Sequence, residues 1–395
     1  MELNGPALRI AVVSNTAWYL FNFRLNLMYA LKAAGHTVVA VAPADPYADR
    51  ILAAGVEFEA VPISGGGVNP LQELRSVLRL RSLFRRQQID LVLSYTPKGN
   101  LYSALACIVL GIPFLPNVSG LGRAFIRRSP VTWIAQGLYR LTLRRAQHVF
   151  FQNPDDMAVF VGAGLVRAER AERLPGSGVD LVRFASAPLP VNPVDAPVFL
   201  LVARILWDKG VGEYVAAARQ VRKAFPRATF RLLGFLGSDN PSAVPWEQVD
   251  TWVKEGVVTY LGPTDDVRPH FADADCVVLP SYREGVPRVL LEAAAMARPV
   301  ITTDVPGCRE AVIDGETGYL CRPADEEDLA KKLRAFIALP TQSRVAMGQR
   351  GRAFVERNFD EHAVLDRYLK AVATVAFSLQ VPLRPAGEET GRGRV

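Results

Sequence analysis

The sequence predicts an α/β protein of two doubly wound domains in tandem, each built around a parallel β-sheet. Its 395 residues correspond to two domains of ordinary size. Short β-branched segments alternate with longer amphipathic segments along most of the chain, which is typical of βαβ units. This alternation stops once, in a proline-rich stretch near the middle, and then resumes. We therefore expect one domain on each side of that stretch.

The first domain is predicted over residues 1–174. Its strands are expected at four β-branched segments: Arg9–Ser14, Thr37–Val41, Ile89–Leu93 and His148–Phe151. The segment from Gly99 to Gly122 contains no charged residue and is longer than the ~20 residues that a membrane-spanning helix needs. Gly111-Ile-Pro113 interrupts it, so we interpret it as a helix ending near Leu110 and a strand at Ile112–Val118.

Residues 175–197 are predicted to be the linker, because their prolines disfavour both a helix and a central strand: Pro175, Pro188, Pro190, Pro193 and Pro197. The second domain is expected over residues 198–360, with strands at Val198–Val202, Thr229–Leu233, Val257–Leu261, Cys276–Leu279 and Pro299–Thr303. Residues 361–380 are a predicted C-terminal helix that could cross back to the first domain. Residues 381–395 are rich in Pro, Gly and charge, so we expect a disordered tail.

The composition excludes several classes of protein. Half of the residues are hydrophobic and 22% are charged, which excludes a disordered chain and a coiled coil. The four cysteines show neither CxxC nor zinc-ligand spacing, which favours a reduced compartment. The first apolar segment, Leu8–Val13, is too short for a secretory signal and follows no basic region. These observations predict a cytoplasmic protein.

Positive charge is concentrated in the first half of the chain. Residues 1–185 contain 20 basic and 12 acidic side chains, a net charge of +8. Two groups of arginines carry the excess: Arg75, Arg79, Arg81, Arg85 and Arg86, and then Arg123, Arg127, Arg128, Arg140, Arg144 and Arg145. In Leu71–Gln88, leucines alternate with arginines in a pattern that fits either a helix lying on an anionic bilayer or a solvated helix face.

The charge pattern predicts an anionic membrane surface as a partner, with the protein peripheral at the inner face of the membrane. Nucleic acid is not a predicted partner, because the arginines are not interleaved with stacking aromatic residues and no nucleic-acid-binding motif is present.

Two cations follow the first strand of the second domain. In an open α/β domain, ligands bind beyond the carboxyl ends of the strands. Arg204 and Lys209 lie at such a strand-to-helix junction. A planar guanidinium and a compact ammonium together suit a diphosphate whose negative charge grows as a bond breaks. The alternative is an ordinary pair of surface cations.

A second group of residues follows the predicted strand at Cys276–Leu279. Gly285 allows a ligand to approach the backbone closely, and Pro287 is placed for a helix start. Glu284 precedes this turn, and Glu292 lies on an otherwise apolar helix where a carboxylate needs partners. A ribose diol and the hydroxyls of a transferred sugar would supply them. The alternative is two carboxylates stabilised by the helix dipole.

These residues resemble the retaining glycosyltransferases of family 4, also called group 1. The resemblance depends on Glu284 and Glu292 with seven residues between them, on Arg204 with Lys209, on Pro175–Asp180, and on Gly307, Glu310 and Gly315–Gly318. It implies the GT-B fold, with two Rossmann-like domains facing across a cleft. It also implies that Arg204 and Lys209 contact the nucleotide diphosphate, that Glu284 contacts the donor sugar, and that Glu292 contacts the ribose.

The same resemblance assigns further contacts. Gly285 and Val286 would offer backbone N–H groups to the donor, with Pro287 beside them. The first domain resembles enzymes that build glycans on polyprenyl diphosphate in four motifs: Ser14–Thr16, Phe21–Arg24, Thr96–Lys98 and Asn117–Gly122. By this resemblance Asn15, Arg24, Lys98 and Ser119 would bind the acceptor. For Lys98 and Arg24, a purely structural role is the alternative.

The predicted function is therefore transfer of a sugar from a nucleotide-diphosphate donor to a polyprenyl-diphosphate-linked glycan. The expected donor is UDP-linked, and an N-acetylhexosamine is the candidate sugar. The setting would be assembly of a surface polysaccharide or a glycoprotein glycan. The predicted catalytic residues are Glu284, Arg204 and Lys209, and no cofactor and no metal are predicted, since the sequence has no Asp-x-Asp motif positioned to anchor one. The alternatives are a nucleotide-sugar epimerase on the same fold and a non-catalytic protein that binds anionic lipid.

Overall fold

The computed structural model describes residues 6–63, 69–120, 130–190, 192–237 and 240–380. Within these ranges, the first domain has seven strands: β1 (Arg9–Val13), β2 (Thr37–Ala42), β3 (Glu57–Ala60), β4 (Leu91–Tyr95), β5 (Phe114–Val118), β6 (Val149–Phe151) and β7 (Ala171–Arg173). They form one parallel sheet in the order β3-β2-β1-β4-β5-β6-β7. Its helices are α1 (Ala17–Ala33), α2 (Tyr47–Ala53), α3 (Pro70–Arg86), α4 (Pro97–Leu110), α5 (Pro130–Leu143) and α6 (Pro154–Gly162).

The second domain repeats this architecture. Its described strands are β8 (Val198–Val202), β9 (Thr229–Leu233), β10 (Thr259–Tyr260), β11 (Cys276–Leu279), β12 (Val300–Thr303) and β13 (Gly318–Cys321), in the parallel order β10-β9-β8-β11-β12-β13. Its helices are α7 (Val211–Ala224), α8 (Trp246–Lys254), α9 (Arg268–Ala272), α10 (Arg288–Ala295), α11 (Glu326–Ile337) and α12 (Thr341–Asn358), and α13 (Glu361–Gln380) follows. The expected fold, two doubly wound α/β domains, is confirmed.

The strands that sequence reasoning missed lie at the edges of the sheets. β3 and β7 are the outer strands of the first sheet, and β13 is an outer strand of the second. An edge strand pairs on one side only, so it needs no continuous apolar segment. The sequences of β3 (EFEA) and β7 (AER) accordingly contain charged residues. The central strands, which are buried on both faces, carry the β-branched segments that predicted them.

The uncharged segment from Gly99 to Gly122 divides as expected. α4 ends at Leu110, and Gly111 caps it in a left-handed conformation before β5 begins at Phe114. No helix in the part of the chain that the structure describes is both long enough and apolar enough to cross a bilayer.

The chain passes between the domains in two stretches that lie side by side. Val179 donates a backbone hydrogen bond to Phe359 (2.9 Å) and accepts one from Glu361 (3.2 Å). α13 then packs on the first domain, where Tyr368 and Val372 are buried in the core beneath β1 and β4. The first domain core therefore includes the last described helix of the chain.

The carboxyl ends of the strands in the two sheets face each other across a cleft. Asn153, after β6, donates a side-chain hydrogen bond to the carbonyl of Gly285, after β11, over 3.0 Å. At another point of the cleft, Arg50 on α2 forms an ion pair of 2.9 Å with Asp265 of the second domain. Ligand sites of open α/β domains lie beyond the strand carboxyl ends, so the loops between these contacts form the candidate site.

Candidate active site between the two domains

The loops after β8 and β11 lie side by side because these strands are neighbours in the second sheet. The backbone N–H of Tyr282 donates to the carbonyl of Asp208 over 3.0 Å, and the hydroxyl oxygen of Ser281 lies 3.1 Å from the same carbonyl. These contacts hold the segment that contains Lys209 against the segment that contains Glu284.

A close backbone approach makes this arrangement possible. Gly210 has φ +73° and begins α7 directly against the carbonyl of Pro280, where a Cβ would overlap the oxygen. Only glycine combines this left-handed conformation with the absence of a side chain at low cost. The position of Gly210 therefore determines the distance between the two loops.

Lys209 and Glu284 form an ion pair at the mouth of these loops. The ammonium contacts Oε1 of Glu284, which also accepts a hydrogen bond of 2.7 Å from the Ser281 hydroxyl. The two side chains are 20% and 14% exposed, so solvent reaches both only in part. A partly buried cation can stabilise a phosphate oxygen, and the carboxylate beside it can accept a hydrogen bond from a sugar hydroxyl.

Arg204 is exposed at the start of the same loop. No ion pair or hydrogen bond within the described ranges engages its guanidinium. It lies five residues before Lys209, in the turn that leaves β8. Arg204 is therefore on the same rim as Lys209 but not in contact with the Lys209–Glu284 pair.

Glu292 lies on α10, beside Arg288. Nε of Arg288 is 2.8 Å from Oε1 of Glu292, and the two side chains are 12% and 15% exposed. Burial raises the pKa of Glu292 above its ordinary value, while the positive charges of Arg288 and Arg183 oppose the rise. Arg288 also donates to the carbonyl of Asn22 in the first domain over 2.6 Å. This arginine thus links the predicted ribose-binding carboxylate to α1.

The turn between Glu284 and α10 is packed against the first domain. The Cα of Gly285 lies against the carbonyl of Ser119, where a Cβ would overlap that oxygen. The N–H of Val286, which the resemblance offers to the donor, donates to Oε1 of Gln152 over 3.3 Å. Pro287 is the N-cap residue of α10. Donor contacts from this turn therefore require Gln152 to be displaced.

Sequence reasoning missed the first-domain residues that grip this turn. They are Gln152 and Asn153, which follow β6, and Asp156 in the first turn of α6. Asp156 is fully buried and forms an ion pair with Arg283, while Oδ1 of Asn153 caps α6 by accepting from the Asp156 N–H over 2.8 Å. The sequence signalled only the cap, in Asn153 followed by a proline and two aspartates.

The predicted acceptor residues divide into two groups. Asn15, at the start of α1, and Ser119, after β5, are half-buried at the carboxyl edge of the first sheet. Arg24, on α1, is only 2% exposed. Its guanidinium donates to the hydroxyls of Tyr19 (2.9 Å) and Ser177 (3.1 Å). Its described contacts thus support the interior of the first domain.

Lys98 lies in the first turn of α4, where its ammonium is 2.7 Å from a carboxylate oxygen of Glu73 on α3. Its side chain is 20% exposed. The ion pair gives Lys98 a structural role in holding α3 against α4. An acceptor diphosphate at this position would have to compete with Glu73 for the ammonium.

A group of buried polar atoms surrounds the same edge of the first sheet. The buried side-chain oxygens without a hydrogen-bond partner among the described residues include those of Ser14, Thr96 and Ser103, and Oδ1 of Asn100 and of Asn117. Native proteins rarely leave such atoms unsatisfied. This edge therefore offers hydrogen-bonding capacity for water or for a polar ligand. Ser14, Thr96 and Asn117 belong to the motifs that the sequence singled out.

The opposed parallel sheets and the cleft between their carboxyl ends define this molecule as a GT-B protein. Residues 23–177 match the family described as glycosyl transferase 4-like domain, and residues 196–338 match glycosyl transferases group 1. The two matches together cover most of the chain, and the chain belongs to the group 1 glycosyltransferases. It is an enzyme of this class, which confirms the resemblance.

Similar proteins align with between about half and nearly all of the chain. The N,N'-diacetylbacillosaminyl-diphospho-undecaprenol alpha-1,3-N-acetylgalactosaminyltransferase of Campylobacter jejuni is 27% identical over 379 residues, which are 92% of this chain and 98% of that protein. The putative colanic acid biosynthesis glycosyltransferase WcaL of Escherichia coli is 31% identical over 47% of each chain. The structure of Anabaena HepE with UDP-glucose has a TM-score of 0.76, 19% identity, and covers 93% of this chain and 100% of its own; it supports the fold.

Proposed function

We propose that this glycosyltransferase transfers an N-acetylhexosamine from a UDP-linked donor to a polyprenyl-diphosphate-linked glycan, with retention of the anomeric configuration. The observation that carries the proposal is the partly buried contact between Lys209 and Glu284 at the cleft. The substrate class is supported by the similarity to the C. jejuni enzyme, whose name specifies a diphospho-undecaprenol acceptor. The names of further relatives, from colanic acid and capsular polysaccharide biosynthesis, support a role in assembling a surface polysaccharide or a glycoprotein glycan.

In the proposed mechanism the second domain binds the donor. Glu284 accepts a hydrogen bond from a hydroxyl of the donor sugar, and Glu292 accepts hydrogen bonds from the ribose hydroxyls. Lys209 and Arg204 neutralise the diphosphate as the bond from its oxygen to the anomeric carbon breaks, so that the negative charge of the leaving group meets two cations. This stabilisation needs no metal ion. The chemistry is then mostly positioning within a cleft that excludes water.

Donor entry requires a small opening of the cleft. The Ser119 carbonyl lies against Gly285, and Oε1 of Gln152 accepts a hydrogen bond from the Val286 N–H. A donor that bonds to the Val286 N–H takes the place of Gln152, and the contact between the Ser119 carbonyl and Gly285 forms again when the cleft closes. Opening and closing of the two domains thus accompany each catalytic cycle, which is a common arrangement in enzymes that sequester a reaction from water.

The first domain binds the acceptor in this proposal. Asn15 and Ser119 lie at the edge of the sheet that faces the donor loops, above the unpartnered oxygens of Ser14 and Thr96. These groups suit the hydroxyl and amide groups of an acceptor sugar. The polyprenyl chain of the acceptor implies that the enzyme works at a membrane, as a peripheral protein at its inner, anionic face.

The direct test is transfer with defined substrates. The protein is incubated with single UDP-sugars, with and without a polyprenyl-diphosphate glycan, and the products are identified by mass spectrometry. We expect glycan extension only when both substrates are present. An isomerised nucleotide sugar without acceptor would instead support an epimerase, and absence of any donor binding would support a lipid-binding protein. Glu284→Gln should abolish transfer, while Asp250→Asn, which breaks an exposed lysine ion pair on α8, should not.

A further inference from the structure

Helix α3 has apolar residues on two opposite sides. Leu80, Leu83 and Phe84 face inward and are buried in the core of the first domain. Leu71, Leu74 and Leu78 are 68%, 56% and 50% exposed. At about 100° of rotation per residue, the three exposed leucines fall within about 60° of each other, on the side opposite the buried one. They form an exposed leucine stripe that no described part of the chain covers.

Positive charge flanks and extends the leucine stripe. Arg75 and Arg79 are exposed beside it. Toward the end of the helix, the stripe continues into an open hollow of about 430 Å³ lined by Arg81, Ser82, Arg85 and Arg86. The acidic residue of this helix, Glu73, is turned toward α4, where it contacts Lys98 and Tyr102. Among the described residues, Glu59 forms an ion pair of 3.2 Å with one of these arginines, Arg86.

The exposed leucine stripe and the arginines beside it together favour one kind of partner for α3. Single exposed leucines are normal on soluble proteins, but a continuous stripe at helical spacing indicates a covered surface. A protein partner would match the leucines with apolar side chains and would need carboxylates for five arginines. A bilayer of anionic lipids supplies both at once, because acyl chains accept the leucines and phosphates meet the arginines. In α5, which lies in the same helical layer, Trp133 is 74% exposed, and tryptophan favours membrane interfaces.

We propose that α3 is the membrane-docking surface of this enzyme. The leucine stripe enters the interface of the bilayer, and Arg81, Arg85 and Arg86 around the hollow bind lipid phosphates. The proposal rests on the proposed function, in which the acceptor is held in an anionic membrane. It adds where the protein meets that membrane. The helix lies in the plane of the bilayer surface and does not cross the bilayer.

The test is sedimentation of the purified full-length protein with vesicles. One vesicle is phosphatidylcholine alone, and the other contains equal parts of phosphatidylcholine and phosphatidylglycerol. We expect binding to the anionic vesicle only. Replacing Leu71, Leu74 and Leu78 by serine, or Arg81 and Arg85 by alanine, should weaken binding at least tenfold without lowering the melting temperature.

Matched controls are Leu52→Ser on α2, where the leucine is 52% exposed, and Arg167→Ala, where an exposed arginine lies outside α3. Both should bind vesicles like the wild type. The proposal is overturned if the wild type does not bind the anionic vesicle, or if the α3 variants bind this vesicle as strongly as the wild type does. It is also overturned if the wild type is a dimer that the leucine variant dissociates, which would assign the stripe to a second copy of the chain.

A second measurement separates this inference from the proposed function. The α3 variants are assayed with a short-chain, water-soluble acceptor and with the same glycan embedded in anionic vesicles. We expect unchanged turnover on the soluble acceptor and at least a tenfold loss on the embedded one. Vesicle binding by a wild type that transfers no sugar would refute the proposed function and leave the docking surface standing. If the variants turned over both acceptors as fast as the wild type does, the docking surface would be refuted.

Discussion

The side-chain amide of Asn153 donates a hydrogen bond to the carbonyl oxygen of Gly285 over 3.0 Å, and thereby joins the first domain to the loop that carries Glu284. The same asparagine caps α6 through its side-chain oxygen. One residue therefore fixes both the helix that supports the contact and the contact itself. Glu284 and Glu292 belong to one domain and the predicted acceptor-binding residues belong to the other. Contacts between the domains, such as that of Asn153 with Gly285, therefore bring the two sets of residues together when the cleft closes.

Asn153→Ser separates these two roles. Serine is as good an N-cap as asparagine, but its hydroxyl is too short to reach Gly285. We expect the melting temperature to stay close to that of the wild type and kcat/KM for the donor to fall about fivefold, since one hydrogen bond is worth roughly 1 kcal/mol. Steady-state kinetics and a thermal melt measure the two effects. A large loss of stability with unchanged kcat/KM would contradict the interdomain role.

Gly285→Ala and Gly210→Ala should fail in different ways. The Cβ added at Gly285 meets the Ser119 carbonyl and Gln152 of the other domain, so the two domains can part to relieve it. We expect a folded protein with transfer reduced at least 100-fold by incomplete closure. The Cβ added at Gly210 meets Pro280 within the same domain, in a left-handed conformation, and should destabilise that domain by about 3 kcal/mol or more.

Circular dichroism and a thermal melt distinguish the two glycine variants. The expected result is a melting temperature near that of the wild type for Gly285→Ala and a clear decrease for Gly210→Ala. Equal destabilisation by both substitutions would show that the Gly285 loop is part of a rigid interface rather than of a closing cleft.

Arg288→Gln should change the pH dependence of the reaction. Burial raises the pKa of Glu292 and the Arg288 charge opposes that rise, so removal of the charge raises the pKa further. We expect the acid limb of kcat/KM for the donor to move to higher pH by about one unit, because an opposite charge in contact shifts a carboxylate by about that much or more. Arg288→Lys keeps the charge and should restore most of the wild-type profile. An identical acid limb in Arg288→Gln and the wild type would remove Glu292 from the donor site.

Chelation of divalent metals should leave the reaction unchanged. In the proposed mechanism, Arg204 and Lys209 perform the neutralisation that a metal would otherwise provide. We expect equal initial rates with and without EDTA, after the protein has been dialysed against it. A loss of rate that Mg²⁺ or Mn²⁺ restores would show that the diphosphate is bound through a metal.

Much of the site follows from local sequence rules. Ligands gather beyond the ends of parallel strands, so residues that follow neighbouring strands meet, as Lys209 after β8 and Glu284 after β11 do. The uncharged segment between Gly99 and Gly122 was divided correctly by its glycine and proline. Both inferences need only the immediate neighbours of a residue along the chain or in one sheet.

The rest depends on packing between distant segments. Nothing near Gln152 or Asp156 in the sequence identifies Val286 and Arg283 as their partners, because those contacts exist only when the domains meet. The sequence left Arg24 with two alternatives, an acceptor contact or a structural role, and its burial at 2% exposure depends on packing that local sequence does not show. The arginines at 123, 127 and 128 lie outside the described residues.

The rate of sugar transfer by Lys209→Ala and Glu284→Gln is the most direct measurement, made with a UDP-linked N-acetylhexosamine and a polyprenyl-diphosphate glycan. Each variant should lose about 100- to 1,000-fold in kcat, as when a group that stabilises developing charge is removed. The double variant should lose less than the product of the two, because the side chains touch. Asp250→Asn and Lys254→Ala, an exposed pair on α8, should turn over normally. Wild-type turnover by either Lys209→Ala or Glu284→Gln would contradict the assignment of this cleft as the active site.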